Sequence, residues 1–351
     1  MGAAPLTVFW LLFVLPALGV ISPIRFNPSA QKSAWFLIGT FFAVIIGLRH
    51  EVGGDWGNYL RHFDLIRQMR FRDALEFGDP AYYGMMWLVA DQGLSIHWSN
   101  LLSACVVMTG VTMFARRQPM PWLALLVAVP YLIIVVAMGY TRQGVALGFA
   151  LLGLTALGQQ RTRLFVFWVL VGAAFHKSAV LLLPIAALSA SRNRGWTFFW
   201  VTLTSVAGAY FFVADDSETL IRNYIETEYQ SQGGMIRVAM NAVPALLYLL
   251  WHRRLGIEER ERKLWFWLSV FALACVPLIM VLPSTAVDRV ALYFIPVQMY
   301  VFSHLHRIAK STIGRTRIVV AVVAYYALVQ FVWLNYASHS KYWVPYQFMP
   351  W

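Results

Sequence analysis

Long apolar stretches alternate with short polar connections from one end of the chain to the other. They predict helical segments at about 3–21, 34–48, 97–115, 121–139, 143–159, 164–175, 178–190, 196–214, 238–251, 264–282, 289–305 and 318–336. An apolar run of about 20 residues crosses about 30 Å of hydrocarbon. The expected fold is therefore an all-α polytopic membrane protein of about 12 hydrophobic helical segments, a single transmembrane domain over residues 1–351. The stretch 164–190 reads either as one span or as a short hairpin with arms of about 20 Å each.

Two polar segments stand out between the apolar ones. Residues 49–96 open with Arg49-His50-Glu51-Val52-Gly53-Gly54-Asp55-Trp56. Trp56, Tyr59, Leu60, Phe63, Ile66 and Met69 then recur at spacings of three and four, with Arg61, Asp64, Arg67 and Arg70 on the other side. That period predicts an amphipathic helix lying on the membrane surface. The short apolar run Met85 to Ala90 is expected to dip into lipid. The second segment, 215–237, is acidic and is expected to act as a lid.

Composition excludes a soluble globule. The chain is 60% hydrophobic and 13% charged, where soluble domains carry about 25% charged residues. The net charge of +12 would suit nucleic acid if it were clustered on one soluble face. Instead it sorts by loop. With the N-terminus outside and 164–190 a hairpin, the cytoplasmic connections 22–33, 116–120, 160–163, 191–195, 252–263 and 306–317 hold 17 basic and three acidic residues. The remaining 11 basic and 13 acidic residues lie outside, as the positive-inside rule requires. A single span at 164–190 would reverse the later loops, so the hairpin is the expected arrangement, its tip within a protein-lined cavity.

Met1 to Ile21 has no Lys or Arg ahead of its apolar run, so a retained first helix is expected rather than a signal peptide. Cys105 and Cys275 lie inside apolar segments and support neither a disulfide framework nor a zinc site. No His-x-x-His or paired-carboxylate signal calls for a metal, and no cofactor is expected.

Four polar clusters fall at outer ends of the apolar segments in this topology. The first is Arg49, Gly53, Asp55 and Tyr59, where Gly53-Gly54 allows a sharp turn and Asp55 stands at a helix N-cap position. The second, Tyr140, Arg142 and Gln143, puts a guanidinium at the start of a helix, a strong anion site. The third is His176-Lys177-Ser178 at the hairpin tip, where ionisable groups are costly unless they serve a purpose. The fourth is Asp288, Arg289 and Tyr293. Each also has a plain structural reading, as a snorkelling arginine, a helix cap or a local ion pair. Together they place three or four cations, a carboxylate and an imidazole on one face, which suits a phosphate-bearing substrate. Either Asp55 or His176 is placed to take a proton from a hydroxyl.

These residues resemble a known family. Arg49-x3-Gly53-x-Asp55-x3-Tyr59-x3-Phe63, the Arg142-Gln143 pair, Phe175-His176-x-Ser178 and Arg289-x3-Tyr293 are similar, in order, to the marks of the EpsG family of Wzy-like exopolysaccharide and O-antigen polymerases. Lys177 is not a mark of that family, and residues 49–96 hold no Asp-x-Asp or Glu-x-Asp pair of the kind a metal-using glycosyltransferase needs.

The resemblance implies a metal-independent glycosyltransferase in a bacterial inner membrane. Its donor would be a glycan on undecaprenyl pyrophosphate, and its acceptor a repeat unit on the same lipid. Chain-length and export proteins would be its partners. From the charges of the four clusters, the expected catalytic set is Asp55, His176, Arg142 and Arg289, with Arg49, Tyr59, Tyr140, Gln143, Lys177 and Tyr293 binding substrate. Two other readings fit the same pattern: a flippase for the lipid-linked unit, and a membrane acyltransferase that decorates glycans.

Overall fold

The computed structural model describes residues 6–22, 27–189, 195–196, 198–203, 206 and 233–350. The acidic segment at 215–237 therefore falls outside the described residues except for its last five positions. The described chain is helical, with no strand beyond an isolated bridge between Arg49 and Phe348.

The first helices are α1 (Thr7–Ile21), α2 (Pro28–Gly47), α3 (Trp56–Ile66), α4 (Phe71–Glu76), α5 (Pro80–Asp91), α6 (Ile96–Ala115) and α7 (Pro121–Ala128). A π-helical stretch, Val129–Ala137, follows, then α8 (Thr141–Gly158) and α9 (Thr162–Phe175). The helix breaks at His176 and resumes as a 3₁₀ turn, Lys177–Leu182, leading into α10 (Leu183–Ser189). The later elements are α11 (Gly234–Trp251), α12 (Glu259–Val281), α13 (Ser284–Ala291), a 3₁₀ turn at Leu292–Phe294, α14 (Ile295–His304) and α15 (Thr312–Tyr336).

Among the described residues, α2, α6, α11, α12 and α15 are long and apolar enough to cross a membrane; α1, the α7–π stretch, α9 and the 177–189 stretch are shorter apolar helices. Several helices begin earlier than their apolar runs. α2 starts at Pro28 because Asn27 caps it, accepting the Ala30 N–H at 2.8 Å. α12 takes Glu259 and Glu261 into its first turn, where carboxylates favour the helix dipole.

The chain divides into two compact units. The first comprises 1–149, 174–176 and 322–351; the second comprises 150–173 and 177–321.

In the first unit the surface segment behaves as its period foretold on one side. Tyr59, Phe63 and Ile66 of α3 are buried, while Arg61, Asp64, Arg67 and Arg70 are exposed. The partner of that apolar face is protein. α5 packs Tyr82, Tyr83, Met86, Val89 and Ala90 into one cluster with α3, Ala74 and Ile96. Of the run Met85 to Ala90, expected to dip into lipid, Met86, Val89 and Ala90 are buried in this cluster and Leu88 is exposed.

The chain's last residues strap this unit. The N–H groups of His50 and Gly53 donate to the carbonyls of Gln347 and Tyr342 at 2.9 and 2.8 Å, and the Met349 N–H donates to Leu48 at 2.7 Å. The Tyr346 hydroxyl donates to the Ile45 carbonyl at 2.7 Å. The C-terminal end of α15 and that of α2 therefore lie at the same end of the unit. That agrees with the loop-charge topology, which sends both helices outward.

In the second unit, α11 lines up polar groups at intervals of four. Arg237 meets Asp288, and Asn241 donates to the Ala291 carbonyl at 2.7 Å while accepting from the Gln298 amide at 2.6 Å. These bonds seat α11 against α13 and α14.

Candidate functional site

The turn between α2 and α3 is built for close approach. Gly53 has φ +111°, and a Cβ there would collide with the Met138 carbonyl oxygen. Only glycine fits this combination. The turn brings Arg49 inward, where it is 1% exposed. Its Nε donates to the Val52 carbonyl at 3.1 Å, Nη1 to Ile46 at 2.6 Å and Nη2 to the Thr141 hydroxyl at 2.9 Å. Burial lowers Arg49 to about 10, so it keeps its charge at neutral pH. Its donors hold the α2–α3 turn against the first residue of α8. The sequence reading gave Arg49 to the substrate; in the structure its fork grips protein oxygens.

Thr141 is the first residue of α8, so Arg142 and Gln143 stand in its first turn. Gln143 is buried, and Tyr140 is half-buried just ahead of the helix. The Arg142 backbone N–H donates to the Tyr59 hydroxyl at 3.4 Å. Its side chain reaches α5: Nη1 donates to Asp79 Oδ2 at 2.9 Å, and the guanidinium lies 5.6 Å from the centre of the Tyr83 ring. His176, at the helix break after α9, brings Nδ1 to 3.6 Å from the same Asp79 oxygen. Arg142 and His176 thus converge on one buried carboxylate, with Tyr59 and Tyr83 beside them.

The tyrosines share a water-poor setting. Burial raises Tyr59 above its ordinary value and pushes Tyr83 up to about 12, against the opposing pull of Arg142. Both remain phenols at neutral pH. The Tyr83 hydroxyl shares a hydrogen bond of 3.0 Å with His62 Nδ1. Burial first, then Arg142 and Arg61, lower the His62 imidazole.

Asp55 occupies the predicted position before α3, but its side chain does not cap the helix; its backbone carbonyl accepts the Tyr59 N–H at 3.0 Å. The backbone there (φ −95°, ψ 7°) lacks the extended geometry a capping side chain needs.

The other predicted residues belong to the second unit. Ser178 and Tyr293 share a hydroxyl–hydroxyl hydrogen bond of 3.0 Å, tying the 3₁₀ turn that begins at Lys177 to the one that follows α13. Arg289 sits in the last turn of α13. The local Asp288–Arg289 pairing considered from the sequence is replaced by a two-pronged one, Asp288 accepting from Arg237 Nε and Nη2 at 2.7 and 2.6 Å.

Sequence reasoning missed Asp79, Tyr83 and Arg237. Gly78-Asp79-Pro80 reads as an ordinary helix start, and nothing in its spacing announces a partner 63 residues away. Among the described residues no group of three or more His, Cys, Asp or Glu is placed to hold a metal ion.

The helices and this polar cluster define a class: a polytopic membrane protein, all-helical among the described residues, in which a half-buried cation and imidazole meet a buried carboxylate. The family model described as the EpsG family matches residues 32–348, nearly the whole chain, and the chain belongs to the EpsG family. Comparison with curated proteins and with solved structures gives no match.

Proposed function

We propose that this protein is a Wzy-like polymerase of about 12 membrane segments in a bacterial inner membrane. It transfers a growing glycan from undecaprenyl pyrophosphate to a hydroxyl of a lipid-linked repeat unit, outside the cytoplasm. The observation that carries the reading is the meeting of Arg142 and His176 at the start of α8 and the end of α9, the end of the first unit where α2 also finishes.

In this reading the acceptor hydroxyl attacks the donor's anomeric carbon, and the bond to the pyrophosphate oxygen breaks. The departing oxygens gain charge as they leave. Arg142 offers them a planar fork of donors, backed by the N-terminus of α8. Such preorganised donors act where charge develops, in a site that excludes water. His176 takes the acceptor's proton, as a general base must. Asp55 is the second candidate for that task, in the turn the C-terminal strap holds in place. Arg49 fixes the turn and the start of α8 rather than touching substrate. Tyr59, Tyr140 and Gln143 line the same helix start. Arg289 and Tyr293 are assigned to the substrate by the family resemblance and Lys177 by its charge alone, and their substitutions test that assignment separately.

The stage at which synthesis stops separates this reading from its rivals. In cells lacking the protein, single-repeat lipid pyrophosphate should accumulate on the outer leaflet, visible to an outside-only glycan probe. His176→Ala, made at normal abundance, should reproduce that state. Accumulation facing the cytoplasm would identify a flippase instead. Full-length polymer lacking only its ester groups would identify an acyltransferase.

A further inference from the structure

The carboxylate on which Arg142 and His176 converge has no place in the reading above. Asp79 is the residue before Pro80, and proline pushes it into extended geometry (φ −70°, ψ 107°) at the start of α5. An aspartate there ordinarily caps its own helix. This one makes no side-chain cap bond. It turns instead toward α8 and the break after α9, and it is buried, whereas Glu51, Asp64, Asp73, Glu76 and Asp91 of the same polar segment are exposed.

One oxygen faces both partners, hydrogen-bonded to Arg142 and at ion-pair distance from His176. Oδ2 accepts from Arg142 Nη1 at 2.9 Å and lies 3.6 Å from His176 Nδ1. The Tyr83 ring, 5.6 Å from the guanidinium, bounds it on another side. A carboxylate edge and a ring face together fix the plane in which the Arg142 fork lies. A carboxylate facing Nδ1 favours the imidazole that carries its proton there, which leaves the Nε2 lone pair for chemistry.

We infer that Asp79 is a positioning residue: it orients the Arg142 fork and holds the His176 imidazole with its proton on Nδ1 and its lone pair on Nε2. The inference rests on the polymerase reading. In the transfer step the acceptor O–H gives its proton to Nε2, and the oxygen's electron pair forms the new bond to the anomeric carbon. The pair of the breaking bond leaves with the lipid pyrophosphate, and the imidazolium later gives its proton to water.

The test uses the full chain in liposomes, with the single-repeat lipid pyrophosphate as substrate and ¹⁵N-labelled histidine in the protein. His176→Gln identifies the His176 resonances by their loss. Wild type should show the proton on Nδ1. Asp79→Asn should shift that signal toward a mixture of tautomers and lower kcat by about 10²-fold without raising KM, the scale of a lost general-base contribution. Asp79→Glu should recover part of kcat. Wild-type kcat in Asp79→Asn, or an unchanged tautomer, overturns the inference. Should that variant fail to fold, the wild-type spectrum still decides, because a proton on Nε2 overturns it. No polymer from the wild type would strike the polymerase reading instead, and the tautomer would still judge Asp79 by itself.

Discussion

The indole N–H of Trp343 donates to the carbonyl of Ile134 at 2.8 Å, joining the end of the chain to the π-helical stretch that leads into Arg142. Pro130 opens that stretch, and a proline lacks the N–H and the room an α-turn demands. The wider π turn accommodates it, and such turns recur at functional sites. Trp343 is 2% exposed, stands edge-on to Trp333 with centroids 5.1 Å apart, and fills the space that a side chain on Gly139 would need.

Trp343→Ala should therefore destabilise the protein by about 3–5 kcal/mol, the usual range for a buried aromatic. Trp343→Phe keeps most of the packing and loses the hydrogen bond, a loss of about 1 kcal/mol. Thermal unfolding in detergent reads both. Equal melting temperatures for wild type and Trp343→Ala would show that the strap carries no load.

Gly53 and Gly57 make a matched pair of tests. Gly53→Ala places a Cβ against the Met138 carbonyl at a positive φ, so the turn must open and folded yield should collapse. Gly57 lies in α3 with nothing within 4 Å of a built Cβ. Gly57→Ala should be neutral or stabilise by up to about 1 kcal/mol through helix propensity. Size-exclusion profiles and melting temperatures check the contrast, and normal yield for Gly53→Ala would refute the close approach.

His62 gives stability a pH dependence. Its folded value lies below the ordinary 6.5, so the unfolded chain takes up a proton there first as pH falls. Stability is complete above pH 6.5 and declines as acid takes the imidazole through its lower folded value. Between about pH 7.5 and about pH 5.5 the wild type should lose more melting temperature than His62→Gln. Parallel losses would contradict the assignment.

Topology can be read with single cysteines at exposed positions, in a background lacking Cys105 and Cys275. Cysteines at Gln92 and Ser338 should react with a reagent supplied from outside. Those at Arg117, Arg254 and Ser311 should react only after permeabilisation. Labelling of Ser338 from the inside alone would break the link between the strap and the outer face.

Hydropathy located the ends of α6 within a residue, because α6 is apolar from His97 onward with little polar lead-in. It placed α11, α12 and α15 late, since charged residues near their starts (Arg237, the run Glu259 to Lys263, Arg315 and Arg317) lower the hydropathy of the window there. The break at His176 was legible because a single span through it would have put the basic loops 252–263 and 306–317 outside. The role of Arg49 was not, because a snorkelling, a ligand-binding and a turn-locking arginine have the same sequence. Its neighbours Val52 and Thr141 decide, and only the folded chain brings them near. Asp79 escaped for the same reason: its partners are tertiary.

The central claim is polymerisation at the Arg142–His176 centre, and one reconstitution tests it most directly. Purified protein in liposomes receives only the single-repeat lipid pyrophosphate, without nucleotide sugar or ATP, and the products are resolved by size. The account predicts a ladder of multiples, driven by the lipid–glycan bond of the donor. Arg142→Lys should cut its rate by about 10²–10³-fold, because lysine keeps the charge but not the fork. A ladder that requires a nucleotide sugar, or one formed at full rate by Arg142→Ala, would contradict it.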